Sequence, residues 1–302
     1  MERKHFSRLY FLLTAGVSMV GLALRLVCML TQYDAAIGYF DRGFLSYASY
    51  GMYFVAVIAA IVGAILLPKD SVDPTLRTPH RAPFAYAVGL ALAVFAILYG
   101  ASALLSSPAR LEIMDLALIA SALAAIVYFP LTAQRHGTYR DSLVFAGFLP
   151  LLWCMAAIAI TYADPYVTMN SPIKVSLQMG LLGFMLILVA ELGCRLGKPV
   201  SRKVIAMTAI GTYTALMASL PILAAASVSP ALLYTLCAGV LLAVAVYGGY
   251  MLFCYTCTSA KEACTAKTSD APTSDAPTDD PMDAPMDAPT DAPTDAPSDP
   301  NA

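Results

Sequence analysis

The chain has 302 residues, of which 59% are hydrophobic and 13% are charged, and its mean hydropathy is +0.70. Soluble domains contain about 45–50% apolar and about 25% charged residues, so this composition excludes an ordinary soluble domain and predicts a membrane protein in a lipid bilayer. The formal charge of −2 hides a cationic body, because nine of the 20 acidic residues are aspartates in the last 33 positions. No basic stripe interleaved with aromatic residues is present, so no nucleic-acid partner is expected.

Eight apolar segments are long enough to cross a membrane, since about 20 helical residues span a hydrocarbon core of about 30 Å. The first segment exceeds the apolar region of a signal peptide, which has about 7–15 residues, and no small-residue cleavage site follows it. The sequence therefore predicts an all-α bundle of eight transmembrane helices in residues 1–255. The predicted spans lie near 9–30, 44–67, 83–105, 111–132, 141–163, 172–194, 203–226 and 231–255.

The lysine and arginine residues predict the orientation of the bundle. If the N-terminus is inside, 14 of the 18 basic residues fall in inner segments, three fall in outer loops, and Arg25 lies within the first span. This asymmetry follows the positive-inside rule and places both termini in the cytoplasm. Short loops and the lack of targeting signals favour a bacterial plasma membrane.

Two prolines, Pro150 and Pro221, lie inside predicted spans and predict local kinks. At the start of the sixth span, Ser171 and Pro172 have the pattern of an N-cap followed by proline at the first helical position.

The segment 256–302 is an acidic tail that repeats Asp-Ala-Pro. It lacks aromatic and branched apolar residues near its end and therefore predicts a disordered cytoplasmic extension. Two interpretations remain open: an expendable solvated tail, or a tether for a basic partner protein.

Ionisable residues inside the spans are the main functional candidates, because a charge at the bilayer centre costs about 2.5–3.5 kcal/mol on insertion scales. Arg25 lies about five residues from the outer end of the first span, and Asp115 lies about five residues into the fourth, so a rise of about 1.5 Å per residue places them at one depth. Glu112 shares a helix face with Asp115. Lys174 and Gln178, at positions i and i+4, fall in the outer third of the sixth span.

The same outer layer contains hydroxyl and aromatic side chains, whereas the inner half of the spans looks almost purely aliphatic. Ser46, Ser49, Tyr50 and Tyr53 open the second span at this depth. We therefore expect an outward-facing pocket in which Arg25, paired with Asp115, binds or gates a small polar ligand or ion for transport or sensing. The candidate ligand-binding residues are Arg25, Glu112, Asp115, Lys174, Gln178, Tyr50 and Tyr53.

The alternative is a structural or scaffolding membrane protein without a ligand. In that interpretation Arg25 and Asp115 form an ion pair that only holds the helices together, and the tyrosines form an interfacial belt. Glu191 and Arg195, four residues apart, are interpreted as an ordinary surface pair.

Catalysis is the least expected class. The three histidines lie in predicted cytoplasmic loops, and no phosphate-binding loop or dinucleotide fingerprint is present. Cys254 and Cys257 have C-x-x-C spacing and Cys264 follows, but a structural zinc site needs four ligands. We expect no enzyme activity, no cofactor and no metal.

Overall fold

A computed structural model describes residues 2–34, 38–41, 43–67, 82–106, 113–134, 141–165, 167, 170–196, 200–226 and 232–257. Within these ranges the chain forms nine helices and one short hairpin. The elements are α1 (Glu2–Thr31), β1 (Tyr33–Asp34), β2 (Tyr39–Phe40), α2 (Phe44–Leu66), α3 (Ala82–Ser106), α4 (Ile113–Gln134), α5 (Asp141–Ala146), α6 (Phe148–Ala163), α7 (Pro172–Arg195), α8 (Arg202–Ala225) and α9 (Leu232–Cys257).

The predicted eight-span architecture is confirmed. Within the described ranges, eight segments have the length and hydropathy to cross a membrane, and their ends lie within three residues of the predicted ones. The protein is therefore an integral, multi-pass membrane protein. Residues 258–302 lie outside the described ranges, so the disorder of the tail and its binding of a partner protein stay predictions.

The fifth span consists of two helices, α5 and α6, separated at Gly147. Pro150 lies in the first turn of α6, and its ring nitrogen has no proton to donate to the carbonyl of Ala146. The helix is therefore interrupted within one turn before Pro150, as the sequence predicts. Pro221 and Pro130, by contrast, lie inside the continuous helices α8 and α4.

Three helices form the centre of the bundle. In the most apolar windows of α7, α8 and α9, 56–67% of residues are buried, against 22–39% in the other five spans. The helices α3, α4, α6, α7, α8 and α9 form a closed cycle of contacts, while α1 and α2 pack on each other and on α8. We call the side of the bundle where α1 begins the N-terminal face and the opposite side the far face.

Aromatic rings fill the interior of this cycle. Phe95, Phe129, Trp153, Phe184 and Tyr247 contact one another across it, with ring centroids 5.3–6.3 Å apart. The expectation of an almost purely aliphatic inner half is therefore wrong. Buried tyrosines near the N-terminal face include Tyr10, Tyr128, Tyr247 and Tyr255.

The crossing of α7 and α8 depends on two glycines that face each other, Gly183 and Gly211. A Cβ atom on Gly183 would overlap the hydroxyl of Thr214 and lie 2.9 Å from the carbonyl oxygen of Gly211. In a bilayer, where helix association gains little from apolar burial, such close approach supplies dispersion contacts. The two central helices can therefore pack closely at this point because neither glycine has a side chain.

We predict that Gly183→Ala destabilises the protein by about 1–3 kcal/mol, because the added methyl group has no space. The measurement is thermal unfolding of the purified protein in detergent. Gly193→Ala is the matched control, since it lies on the same helix with nothing within 4 Å of the added Cβ. Equal unfolding temperatures for the two variants would contradict the proposed role of the crossing.

Candidate functional site

Arg25 lies near the far-face end of α1 and is completely buried. Its Nη1 donates a hydrogen bond to Ser49 Oγ on α2 at 3.2 Å. Its Nη2 donates to the carbonyl oxygen of Pro172 at 3.1 Å and to Ser176 Oγ at 2.6 Å, both on α7. One side chain therefore joins α1 to a peripheral helix and to a central one.

Two aromatic rings lie close to the guanidinium. The Cζ atom of Arg25 lies 4.7 Å from the ring centroid of Phe40 and 4.9 Å from that of Tyr50, within the range of a cation–π interaction. The two centroids are only 6.1 Å apart. This separation is too short for the two rings to enclose the guanidinium between them.

Phe40 is brought there by the hairpin β1–β2, which connects α1 to α2. Tyr33 and Phe40 are paired across its two antiparallel strands, and their rings pack edge to face with centroids 6.0 Å apart. Gly38 has φ of 72°, a conformation that glycine adopts without steric cost. Burial and the neighbouring Asp34 raise the pKa of Tyr33, so its phenol stays neutral.

Several buried polar atoms around Arg25 have no hydrogen-bond partner in the described part of the chain. They are Nε of Arg25, the hydroxyl of Tyr53 and Oγ of Ser171. The Tyr53 hydroxyl lies near Ser176 and Arg25 without meeting hydrogen-bond geometry. Ser171 occupies the N-cap position of α7 as predicted, but its side chain makes no capping bond. A buried donor without an acceptor costs about 1–3 kcal/mol.

The expected pair between Arg25 and Asp115 does not form. Asp115 Oδ1 accepts a hydrogen bond from the Tyr99 hydroxyl at 2.6 Å, at the contact of α3 with α4. Within the described ranges, no carboxylate lies at ion-pair distance from Arg25. The partners of Arg25 in the described part of the chain are all electrically neutral.

Lys174 belongs to a separate group of polar contacts. Its Nζ donates to the backbone carbonyls of Asp164 at 3.1 Å and Val167 at 3.3 Å, and the Tyr234 hydroxyl donates to Asp164 Oδ2 at 3.1 Å. With 3.6 residues per turn, Lys174 is rotated by about 200° from Pro172, so it points away from Arg25. Beside this group lies a cavity of about 30 Å³, enough for a water molecule.

The predicted layer thus divides into three groups. Arg25, Tyr50 and Tyr53 come together, whereas Asp115 and Lys174 each contact other residues. Gln178 is half-buried one turn beyond Lys174, and Glu112 lies outside the described residues. The sequence analysis did not predict Phe40 or Ser176 as site residues. Ser176 could have been noticed, because it is a hydroxyl residue in the outer third of the span, one turn after Pro172.

A second charged group lies near the N-terminal face and corrects another prediction. Glu191 is only 3% exposed and the Arg195 side chain 11%, so the interpretation as a surface pair is wrong. Glu191 Oε1 accepts from Nη2 of Arg195 at 2.6 Å and from Nε at 3.0 Å. The guanidinium also lies 6.0 Å from the ring centroid of Tyr128 on α4.

We predict that Glu191→Leu and Arg195→Met each destabilise the protein by about 3–5 kcal/mol, because each leaves one buried charge unpaired. The double variant should unfold much closer to the wild type, since both charges are then absent. Thermal or denaturant unfolding in detergent measures the coupling energy of this double-mutant cycle. Additive losses would show that the pair is not energetically coupled.

Within the described ranges, no group of three or more His, Cys, Asp or Glu side chains is placed to hold a metal ion. Comparison of the chain with protein-family models, with curated proteins and with solved structures finds no match. The function is therefore inferred from the geometry of the Arg25 group.

Proposed function

We propose that this membrane protein binds a small anion at Arg25, reached from the far face, and that it transports or senses that anion. The observation that supports the proposal is a completely buried guanidinium with no carboxylate at ion-pair distance in the described ranges. Unpartnered donors on Arg25 and Tyr53 lie beside it.

The described neighbours of Arg25 supply hydrogen bonds but no opposite charge. Two hydroxyls, one carbonyl and two rings stabilise the guanidinium, but none of them carries a negative charge. Removing an ion from water costs several kcal/mol in a protein interior. A bound anion would neutralise the site and accept hydrogen bonds from the remaining donors.

A structural role for Arg25 is the second candidate, and one observation favours it. The three hydrogen bonds of the guanidinium connect α1 to α2 and α7. In that case the aromatic rings replace a counter-ion, and Arg25 contributes only to the stability of the bundle.

We predict that a small anion raises the unfolding temperature of the wild-type protein and that Arg25→Gln abolishes this shift. A ligand at 100 times its Kd stabilises the folded state by about 2.7 kcal/mol, which a thermal-shift measurement of the detergent-purified protein detects. The panel is chloride, nitrate, inorganic phosphate, sulfate, acetate and benzoate.

Arg8→Gln is the matched control, because Arg8 lies on the same helix with an exposed side chain. This variant should keep the anion-dependent shift. If no anion stabilises the wild type, and Arg25→Gln lowers the unfolding temperature in every buffer, the structural role is the better account.

We also propose that the protein lies in a plasma membrane with both termini in the cytoplasm, so that the far face is external. The support is the distribution of lysine and arginine residues along the chain. Truncated fusions provide the test: alkaline phosphatase should be active after Ser106, at the far-face end of α3, and green fluorescent protein should fluoresce after Cys257. The reverse pattern would refute this orientation.

A further inference from the structure

The charge at the Arg25 group limits the charge of its ligand. Arg25 is the only cation of this group within the described ranges, because Lys174 points away from it and donates to backbone carbonyls. A dianion bound there would keep one uncompensated negative charge in a medium of low dielectric constant, at a cost of several kcal/mol. The site therefore favours a single negative charge.

The free donors of the site suit an acceptor with two oxygens. A guanidinium has five N–H donors, and three of those on Arg25 are used by Ser49, Pro172 and Ser176. The Nε donor and the hydroxyl of Tyr53 are both buried, and neither has a hydrogen-bond partner among the described residues. A carboxylate has two oxygens that each accept hydrogen bonds, so it can accept from the Nε donor and from the Tyr53 hydroxyl together.

The surroundings of these donors are aromatic. Phe40 and Tyr50 lie within 5 Å of the guanidinium carbon, and Tyr53 packs edge to face on Tyr213 with centroids 5.9 Å apart. Rings of this kind stabilise an apolar or aromatic group through area burial and quadrupole contacts. The part of the ligand that extends from its carboxylate would lie against such rings.

Arg25 is closed in this conformation, because its exposed fraction is 0%. Any ligand therefore reaches Arg25 only after groups around the guanidinium have moved, and the ring of Phe40 is one of these groups. The strands β1 and β2 have only two residues each, and a hairpin of two strands is marginally stable by itself.

We infer that the Arg25 group binds a monocarboxylate with an apolar or aromatic body, covered by Phe40 and Tyr50 of the hairpin and α2. The inference rests on the proposed binding of an anion at Arg25. It adds the chemical class of the ligand and the residues that select it.

The test compares four probes on the detergent-purified full chain by thermal shift and by calorimetric titration, at a pH above the second pKa of phosphate so that phosphate is a dianion: benzoate, acetate, benzamide and inorganic phosphate. Benzoate should bind most tightly, acetate more weakly, and phosphate and the neutral benzamide not measurably. Benzamide also controls for partition of an aromatic molecule into the detergent. Arg25→Gln should abolish the binding of benzoate.

The variant Tyr50→Leu should weaken benzoate binding by about tenfold and acetate binding much less, because it removes a ring contact but keeps the charge. Tyr47→Leu is the matched control: it lies on the same helix, is 68% exposed, and should leave both affinities unchanged. If Tyr50→Leu does not fold, the ranking of the four probes on the wild type decides.

The outcomes separate this inference from the proposed function. Binding of acetate and benzoate with equal affinity would overturn the selection of an apolar or aromatic body. Binding of phosphate alone would overturn the monocarboxylate class. Both results would leave anion binding at Arg25 intact. Absence of binding by every anion tested would overturn both.

Discussion

A single buried guanidinium, that of Arg25, joins α1, α2, α7 and the hairpin β1–β2 at the far face. A charge in a medium of low dielectric constant requires fixed dipoles or a counter-ion, and Arg25 receives two hydroxyls, a carbonyl and two rings from its surroundings. These groups come from α2, from the first turns of α7 and from the hairpin β1–β2. The position of the hairpin over the membrane helices is thus tied to one buried charge.

The helix α7 connects this site to the rest of the bundle. Its first turns contact Arg25, its middle crosses α8 at Gly183, and its last turns carry the Glu191–Arg195 pair. From Ser176 to Glu191 the helix rises by about 22 Å. A tightly packed, central helix therefore holds two buried charged groups on opposite sides of the membrane in a fixed relation.

The two buried arginines differ in how their charge is balanced. Arg195 has a carboxylate on its own helix at 2.6 Å, so that group is close to neutral without any ligand. Arg25 has only neutral partners among the described residues. This asymmetry, rather than burial alone, is the reason for placing a ligand at the far face.

The sequence by itself determined what depends on length and depth: eight spans, the break near Pro150, and a polar layer containing Arg25, Asp115 and Lys174. Depth follows from counting residues along a helix. The partners within that layer depend on which helices are neighbours, and α4 packs on α3 and α6 rather than beside α1, which leaves Asp115 to Tyr99. Likewise, only the tertiary structure placed Phe40 over Arg25 and buried Glu191, because the fold of a connecting hairpin and the central position of α7 arise from packing between distant parts of the chain.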